Sequence, residues 1–242
     1  MKQNTRFVPT ITGPLHIGHL YMALVNAEEA HRSGGKFVVR VDDTQRYWKH
    51  NVDQRLVDQY YNQYCEELSR FVTVDTFERQ SNMPTIRDII GEQEFLKFIP
   101  KEKWIYPQIA EWTPSSEMGL YPCAPPLTIE KVVWDFYDNT TWLIRGEDLI
   151  TEASLYSYFA ECIGIPQVRQ TYLPRLRTGV QGELGHSIIS KTYKTYILSA
   201  QIDALGISGV IKNLSESCLI DSIGKFCVDN VKPNPTVEGF NV

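Results

Sequence analysis

His16 and His19 stand three positions apart with Gly18 between them, in the stretch "PTITGPLHIGHLYM" that runs from Pro9 to Met22. A short β-like run precedes this stretch and an apolar-periodic run follows it. A strand that feeds a glycine-containing loop and then a helix N-terminus gathers unpaired backbone N–H groups and the positive end of a helix dipole, a combination that suits phosphate. Imidazole N–H groups add donors, and Gly18 would let a flat ring or a phosphate approach the backbone with no Cβ in the way. The chemistry favoured is the handling of a nucleoside triphosphate. A plainer reading is a pair of structural histidines beside an apolar helix, and four residues alone do not separate the two.

The elements that must position this loop follow from periodicity. Thr5 to Val8 reads as a strand stopped by Pro9. Leu20, Ala23, Leu24, Ala27 and Ala30 keep helical spacing, and Gly34-Gly35 offers the left-handed residue that ends helices. Lys36 to Val41 reads as a second strand running into "DDT", and Asn51 as the cap of a helix with Val52, Leu56, Tyr60, Cys65 and Leu68 on one face. Strand, loop, helix, strand, helix is the rhythm of a parallel α/β sheet.

Residues 75–126 break that rhythm with "NMP", "IYP", "WTPSS" and "YPCAPP", and read as an irregular insert with one helix near Thr85 to Phe98. Ile129 to Phe136 and Thr141 to Ile144 then read as strands, Thr151 as the cap of a helix ending at Gly164, and Tyr172 to Arg177 as a further strand. The run "GVQGELGHS" reads as a flexible loop, Tyr193 to Asp221 as helices and the rest as an extended tail.

Composition excludes several classes. The 242 residues, 43% hydrophobic and 22% charged, describe a globular chain able to bury a sizeable core. The net charge of -5 gives no global attraction to nucleic acid, so polyanion binding would need a local patch such as Arg169, Arg175, Arg177, Lys191 and Lys194. Five scattered cysteines, none in a two-residue-spaced pair, argue against a disulfide framework and against a zinc site, and fit a reducing cytoplasm. The N-terminus carries no secretory h-region, and no apolar run is long enough to span a membrane.

Residues Arg6 to His19, "RFVPTITGPLHIGH", resemble the nucleotide-binding signature of class I aminoacyl-tRNA synthetases, and in particular the glutamyl-tRNA synthetase branch. Three further stretches agree in order. "GGKFVVRVDDT" (Gly34 to Thr44) is similar to that branch's second strand with its acidic turn, and "WLIRGEDL" (Trp142 to Leu149) to its arginine-glycine-acid strand end. "SIISKT" (Ser187 to Thr192) is similar to a worn form of the mobile loop written KMSKS in the wider class, with Ile188 where a first lysine is usual.

The resemblance implies an α/β fold with a Rossmann-like parallel sheet. Residues 1–74 and 127–195 would form its two halves, 75–126 a reduced insert, and 196–242 a helical segment and tail with no room for an anticodon-binding domain. A short relative, glutamyl-queuosine tRNA(Asp) synthetase, is closer in size than the full-length enzymes. The activity implied is ATP-dependent adenylation of glutamate or a close analogue, with Mg²⁺ accompanying ATP and a tRNA acceptor end as the receiving partner.

By the same resemblance His16, His19 and Lys191 would serve the phosphates, and Gly18, Gly146, Asp148 and Ser190 would contact ATP. Arg6 and Arg145 would hold a second carboxylate, since guanidinium groups pair bidentately with carboxylates. Asp42 would take the substrate ammonium and Thr10 would stand where the branch usually has serine, while Leu127 stands where it uses a tyrosine hydroxyl. Cys123 alone makes no zinc site in the insert, so no protein-held metal is expected. Two other readings stay open at this level. One is a catalytically silent paralogue that binds nucleotide, RNA or protein, and the other is a different nucleotidyl-transfer enzyme such as a cytidylyltransferase.

Overall fold

β1 (Thr5–Phe7) runs through the glycine- and proline-marked loop into α1 (Ile17–Arg32), which returns to β2 (Phe37–Val41); α2 (Gln54–Ser69) and β3 (Thr76–Arg79) complete a first half. A single 3-10 turn (Gln80–Asn82) and the short α3 (Ile86–Ile90) follow, then the paired strands β4 (Trp104–Tyr106) and β5 (Ile109–Trp112). The second half is α4 (Leu127–Tyr137), β6 (Trp142–Gly146), a 3-10 segment (Glu147–Glu152), α5 (Ala153–Ile163) and β7 (Arg169–Leu173), with the small pair β8 (Arg177–Thr178) and β9 (Gly182–Glu183) beyond. The computed structural model describes residues 1–11, 13–44, 54–93, 104–106, 109–112, 127–173, 177–178 and 182–183.

β1 lies at the centre of a five-stranded sheet of order β3-β2-β1-β6-β7, and all of its pairings are parallel. The chain builds outward from β1 in one direction and then, from β6, in the other. The strand order therefore reverses between β1 and β6, where the loops leaving the carboxyl ends diverge and open the crevice in which such sheets take ligands. The α/β Rossmann-like fold expected from the sequence is thus the fold observed.

One face of the sheet is largely apolar. Phe7, Val39 and Val41 pack against Leu20, Leu24 and Ala27 of α1 and against Val57, Tyr64 and Leu68 of α2. The buried face of α2 is therefore set by Val57, while Leu56, expected inside, stands exposed. At the end of α1 Gly34 takes φ +73, and Gly35 lets the chain pass so close to Gln3 that an added Cβ would sit 1.9 Å from its carbonyl oxygen. Asn26, fully buried in α1, donates to the carbonyls of Met22 and Ile144, and its own carbonyl accepts from the Thr5 hydroxyl, which ties α1 to both strands at the reversal.

Several boundaries differ from the sequence reading: Thr151 lies inside the 3-10 segment while Glu152 is the N-cap of α5, and Gly182–Glu183, within the run read as a loop, pair as β9. Residues 129–136, read as a strand, lie inside α4. Its buried Ile129, Val132 and Val133 keep helical spacing, but Thr128, Glu130, Trp134 and Asp135 are also buried, because α3 and α5 cover the sides that the sheet leaves open. A helix enclosed on several sides loses the polar stripe that would betray it, and the β-branched run then imitates a strand. The helix near Thr85 begins as the short α3, which Thr85 caps, its hydroxyl accepting from the Asp88 N–H; residues 92 and 93 are helical again after Gly91, and 94–98 lie outside the described residues. The strand read as Tyr172 to Arg177 begins earlier, at Arg169, and ends at Leu173. Asn51 and the C-terminal helices lie outside the described residues.

The opposite face of the sheet carries charge. Arg40 and Arg6, from β2 and β1, point to the α4 side and share Asp135. Arg6 donates from Nε and Nη2 to the two Asp135 oxygens, at 2.8 Å each, and Arg40 Nη2 donates to Oδ1 at 2.9 Å. Tyr156 of α5 donates its hydroxyl to Oδ2 at 3.1 Å, and Asp138 takes the Nη1 of Arg40. Burial alone would raise the Asp135 carboxyl, but Arg6 and Arg40 outweigh it and hold the group down at about 2. Burial pushes Asp138 up to about 6; Arg40 opposes the shift, while Glu78 and Asp135 add to it.

Two measurements follow. Asp135→Ala strands two buried guanidiniums and should lower unfolding free energy by roughly 3–5 kcal/mol in denaturant melts. The folded state holds the Asp138 proton more tightly than the unfolded chain, so that contribution is present at acid pH and lost as pH rises through about 6. The Asp135 contribution has the opposite sign, being present above the ordinary carboxylate range and lost as pH falls toward about 2. Asp138→Asn should flatten the first slope and leave the second.

Candidate functional site

The loop between β1 and α1 is shaped by its glycines and by α2. Gly13 takes φ 146, a conformation that favours glycine, and its carbonyl accepts a hydrogen bond from the Tyr64 hydroxyl of α2. The loop ends on His16, which caps α1 in an extended conformation. Its Nδ1 accepts the Gly18 N–H at 3.1 Å, and the Nδ1 of His19 accepts the His16 N–H at 3.2 Å. The two rings stack with centroids 3.8 Å apart.

These contacts assign the tautomers. A ring nitrogen that accepts a backbone N–H carries no proton, so the ring proton of each imidazole sits on Nε2. The helix end is thus capped by imidazole acceptors. At Gly18 the structure adds a constraint from the His16 ring. A Cβ there would lie 3.0 Å from the Cε1 and Nδ1 atoms of His16, so it is the imidazole cap that occupies the space.

Thr10 and Asp42 meet at the carboxyl ends of β1 and β2. They form a parallel bridge, with the Ile11 N–H donating to the Asp42 carbonyl at 3.0 Å and the Asp42 N–H to the Pro9 carbonyl at 2.9 Å. The Asp42 carboxylate accepts from the Thr44 N–H and hydroxyl on Oδ1, and from the Thr10 hydroxyl on Oδ2 at 3.4 Å. The neighbouring Asp43 belongs to the framework, since both its oxygens accept from Ser81.

Arg6 and Arg145, paired in the sequence reading, stand in different circumstances. Arg6 lies within β1 with Nε and Nη2 engaged by Asp135. Arg145 lies nearer the carboxyl end, on β6 beside Gly146, and is 3% exposed. Its Nη2 donates to the Gln170 Oε1 at 2.7 Å and to the Tyr172 hydroxyl at 2.6 Å. Its Nε and Nη1 are buried without a hydrogen-bond acceptor. Glu152 approaches Nη1 only to 3.8 Å, because Lys131 holds the same carboxylate oxygen at 2.8 Å. Buried donors without acceptors cost about 1–3 kcal/mol each, which makes this guanidinium a standing demand for an anion.

Asp148 lies in the 3-10 segment after β6. Leu127 is the first residue of α4, the helix whose residues 129–136 the sequence pattern reads as a strand. Ser190 and Lys191 lie outside the described residues. Among the described residues no group of three or more His, Cys, Asp or Glu side chains stands together to hold a metal ion. The residues that sequence reasoning missed are Asp135, Gln170 and Tyr172. An acid inside the apolar run "VVWDFY" was the one local signal for Asp135, whereas nothing local marks the other two.

Residues 2–82 match the family described as tRNA synthetases class I (E and Q), catalytic domain. This chain carries a class I glutamyl-tRNA synthetase-like domain. Over 89 residues it is 38% identical to glutamate–tRNA ligase 2 of Methylorubrum populi, which covers 36% of this chain and 18% of that protein. Over 41 residues it is 56% identical to the glutamyl-Q tRNA(Asp) synthetase of Methylococcus capsulatus, covering 17% of this chain and 14% of that protein. In fold the domain resembles the glutamate tRNA ligase of Elizabethkingia meningosepticum, with a TM-score of 0.56 and 19% identity over 79% of this chain and 53% of that one. The chain thus spans only a small part of the length of the sequence relatives it matches. The family match covers β1 to the 3-10 turn at Gln80–Asn82, with the imidazole cap and the Thr10–Asp42 pair; Arg145 of the synthetase-like domain lies beyond it.

The cap predicts a separable pair of variants. His16→Ala should destabilise the domain by roughly 0.5–2 kcal/mol, whereas His16→Asn keeps a side-chain acceptor at the helix end and should stay near the parent. Denaturant midpoints of the two proteins check this.

Proposed function

We propose that the chain activates glutamate or a close analogue by ATP-dependent adenylation and passes it to a tRNA or tRNA-like acceptor. The single observation that carries this reading is the state of Arg145, a buried cation with two unmatched donors at the carboxyl edge of the sheet, beside the strand reversal. A substrate carboxylate supplies the missing acceptor. Asp42, with Thr10 beside it, takes the substrate ammonium. Because Arg6 is largely held by Asp135, Arg145 is the principal contact for the side-chain carboxylate, and Arg6 acts chiefly by fixing the sheet beneath it.

ATP binds across the start of α1. The positive end of the α1 dipole favours a polyphosphate there, with His16 and His19 standing at its first turn. Gly146 and Asp148, where β6 passes into the 3-10 segment, serve the adenosine, and Ser190 and Lys191, outside the described residues, serve the phosphates. Attack of the amino-acid carboxylate on the α-phosphate expels pyrophosphate. This asks the protein for alignment and charge stabilisation and for little covalent work. Magnesium ions accompanying ATP would be held mainly by phosphate oxygens and water, as is usual for this ion.

A second reading, binding without activation, is favoured by Ile188, which leaves the signature loop with one cation fewer. Pyrophosphate exchange separates the two. We expect exchange that depends on glutamate, falls by at least about a hundredfold in His19→Ala, and falls in His16→Asn although that protein keeps its stability. Arg145→Gln should weaken glutamate binding by about tenfold or more in calorimetry and leave ATP binding in place. Glutamate and ATP binding without exchange would select the silent reading, and equal exchange by parent and His19→Ala would remove the histidine from the reaction.

A further inference from the structure

Around Arg145 three buried side chains close a polar ring. Arg145 Nη2 donates one hydrogen to the Gln170 Oε1 at 2.7 Å and the other to the Tyr172 hydroxyl at 2.6 Å, and that hydroxyl donates to the same Gln170 oxygen at 2.6 Å. Gln170 is anchored from behind, its Nε2 donating to the Ser157 hydroxyl at 3.2 Å and to the Ala153 carbonyl at 3.4 Å, both on α5. Tyr172 is the register partner of Arg145 on the neighbouring strand, and the guanidinium carbon lies 5.3 Å from its ring centroid and 5.5 Å from that of Tyr156. Gln170 and Tyr172 are 2% and 7% exposed, so water does not compete for these bonds.

This ring uses both hydrogens of one terminal nitrogen and leaves Nε and Nη1 of the same group without acceptors. The other two members are neutral, so they fix the plane of the guanidinium without cancelling its charge. The Glu152 Oε2 stands 3.8 Å from Nη1, beyond hydrogen-bond distance, and is shared with Lys131 at 2.8 Å.

We propose that Gln170 and Tyr172 are positioning residues that lock the Arg145 guanidinium in one orientation, and that this lock makes the site prefer an acidic amino-acid side chain to its amide. The proposal rests on the reading of Arg145 as the residue that meets the substrate. A cation held in a buried plane by neutral groups favours a second carboxylate over a carboxamide, because the amide leaves the charge unpaired in a poorly solvated place. A freely turning guanidinium would accept either ligand with less discrimination.

The test compares the full chain with Tyr172→Phe, which removes one hydroxyl, and Gln170→Met, which removes the anchor at similar volume. In nitrogen-15 NMR spectra the two terminal nitrogens of Arg145 should give separate resonances in the parent, from arrested rotation, and merged ones in both variants. Calorimetry with glutamate and with glutamine should show the parent preferring glutamate, and a preference reduced by roughly tenfold in the variants, with ATP affinity unchanged. Merged resonances in the parent, or variants that keep both the separation and the preference, would overturn the proposal. A parent that shows the arrested guanidinium, released in the variants, yet binds no glutamate would uphold the lock and overturn instead the substrate assigned under the proposed function.

Discussion

A sheet covered on both faces has no water to offer a charged side chain, and this one carries arginines on three of its adjacent strands. Arg40, Arg6 and Arg145 stand on β2, β1 and β6, all on the side of α4 and α5. Asp135 is what makes the first two tolerable, since its oxygens accept from both guanidiniums and from the Tyr156 hydroxyl. Its carboxylate must therefore stand over β1 and β2 at hydrogen-bond distance. That requirement governs how α4 lies on the sheet, and through Tyr156 it also engages α5. A buried pair of this kind is weak as a source of net stability and strong as a constraint, because each partner is costly when left alone.

The two faces of the sheet consequently do different work. The apolar face, with Leu20, Leu24, Val39 and Val57 in contact, supplies burial and admits many sequences of similar volume. The charged face specifies geometry. Arg6 is satisfied by Asp135 and belongs to the framework, whereas Arg145, one strand over, is held on one terminal nitrogen and has Nε and Nη1 buried without hydrogen-bond acceptors. Arginines on adjacent strands thus differ in how fully they are answered, and the difference lies in whether an acid stands at hydrogen-bond distance opposite.

The histidine turn shows the same economy on a smaller scale. The nitrogen that caps α1 in each ring is the one that carries no proton, and the choice of that nitrogen leaves the other as a donor. Gly18 is then needed by the cap itself, because the His16 ring fills the space a Cβ would take.

The strand, loop and helix from Thr5 to Arg32, the second strand and the glycine stop at Gly34 were legible in the amino-acid order, because spacing, capping and turn chemistry act between residues a few positions apart. The motifs in those elements carried the family as well. Local order misread α4, since enclosure by α3 and α5 erased its amphipathic period, and it chose Leu56 over Val57 because either fits a helical stripe until a sheet is present to select one. The pairing of Arg6 with Asp135 joins residues 129 positions apart, and the ring around Arg145 depends on a strand register that no local pattern encodes. Sequence by itself determined which chemistries were on hand; tertiary structure decided which cations were already answered and which was left asking, because the partner of a buried charge is chosen by position in space and not by position in the chain.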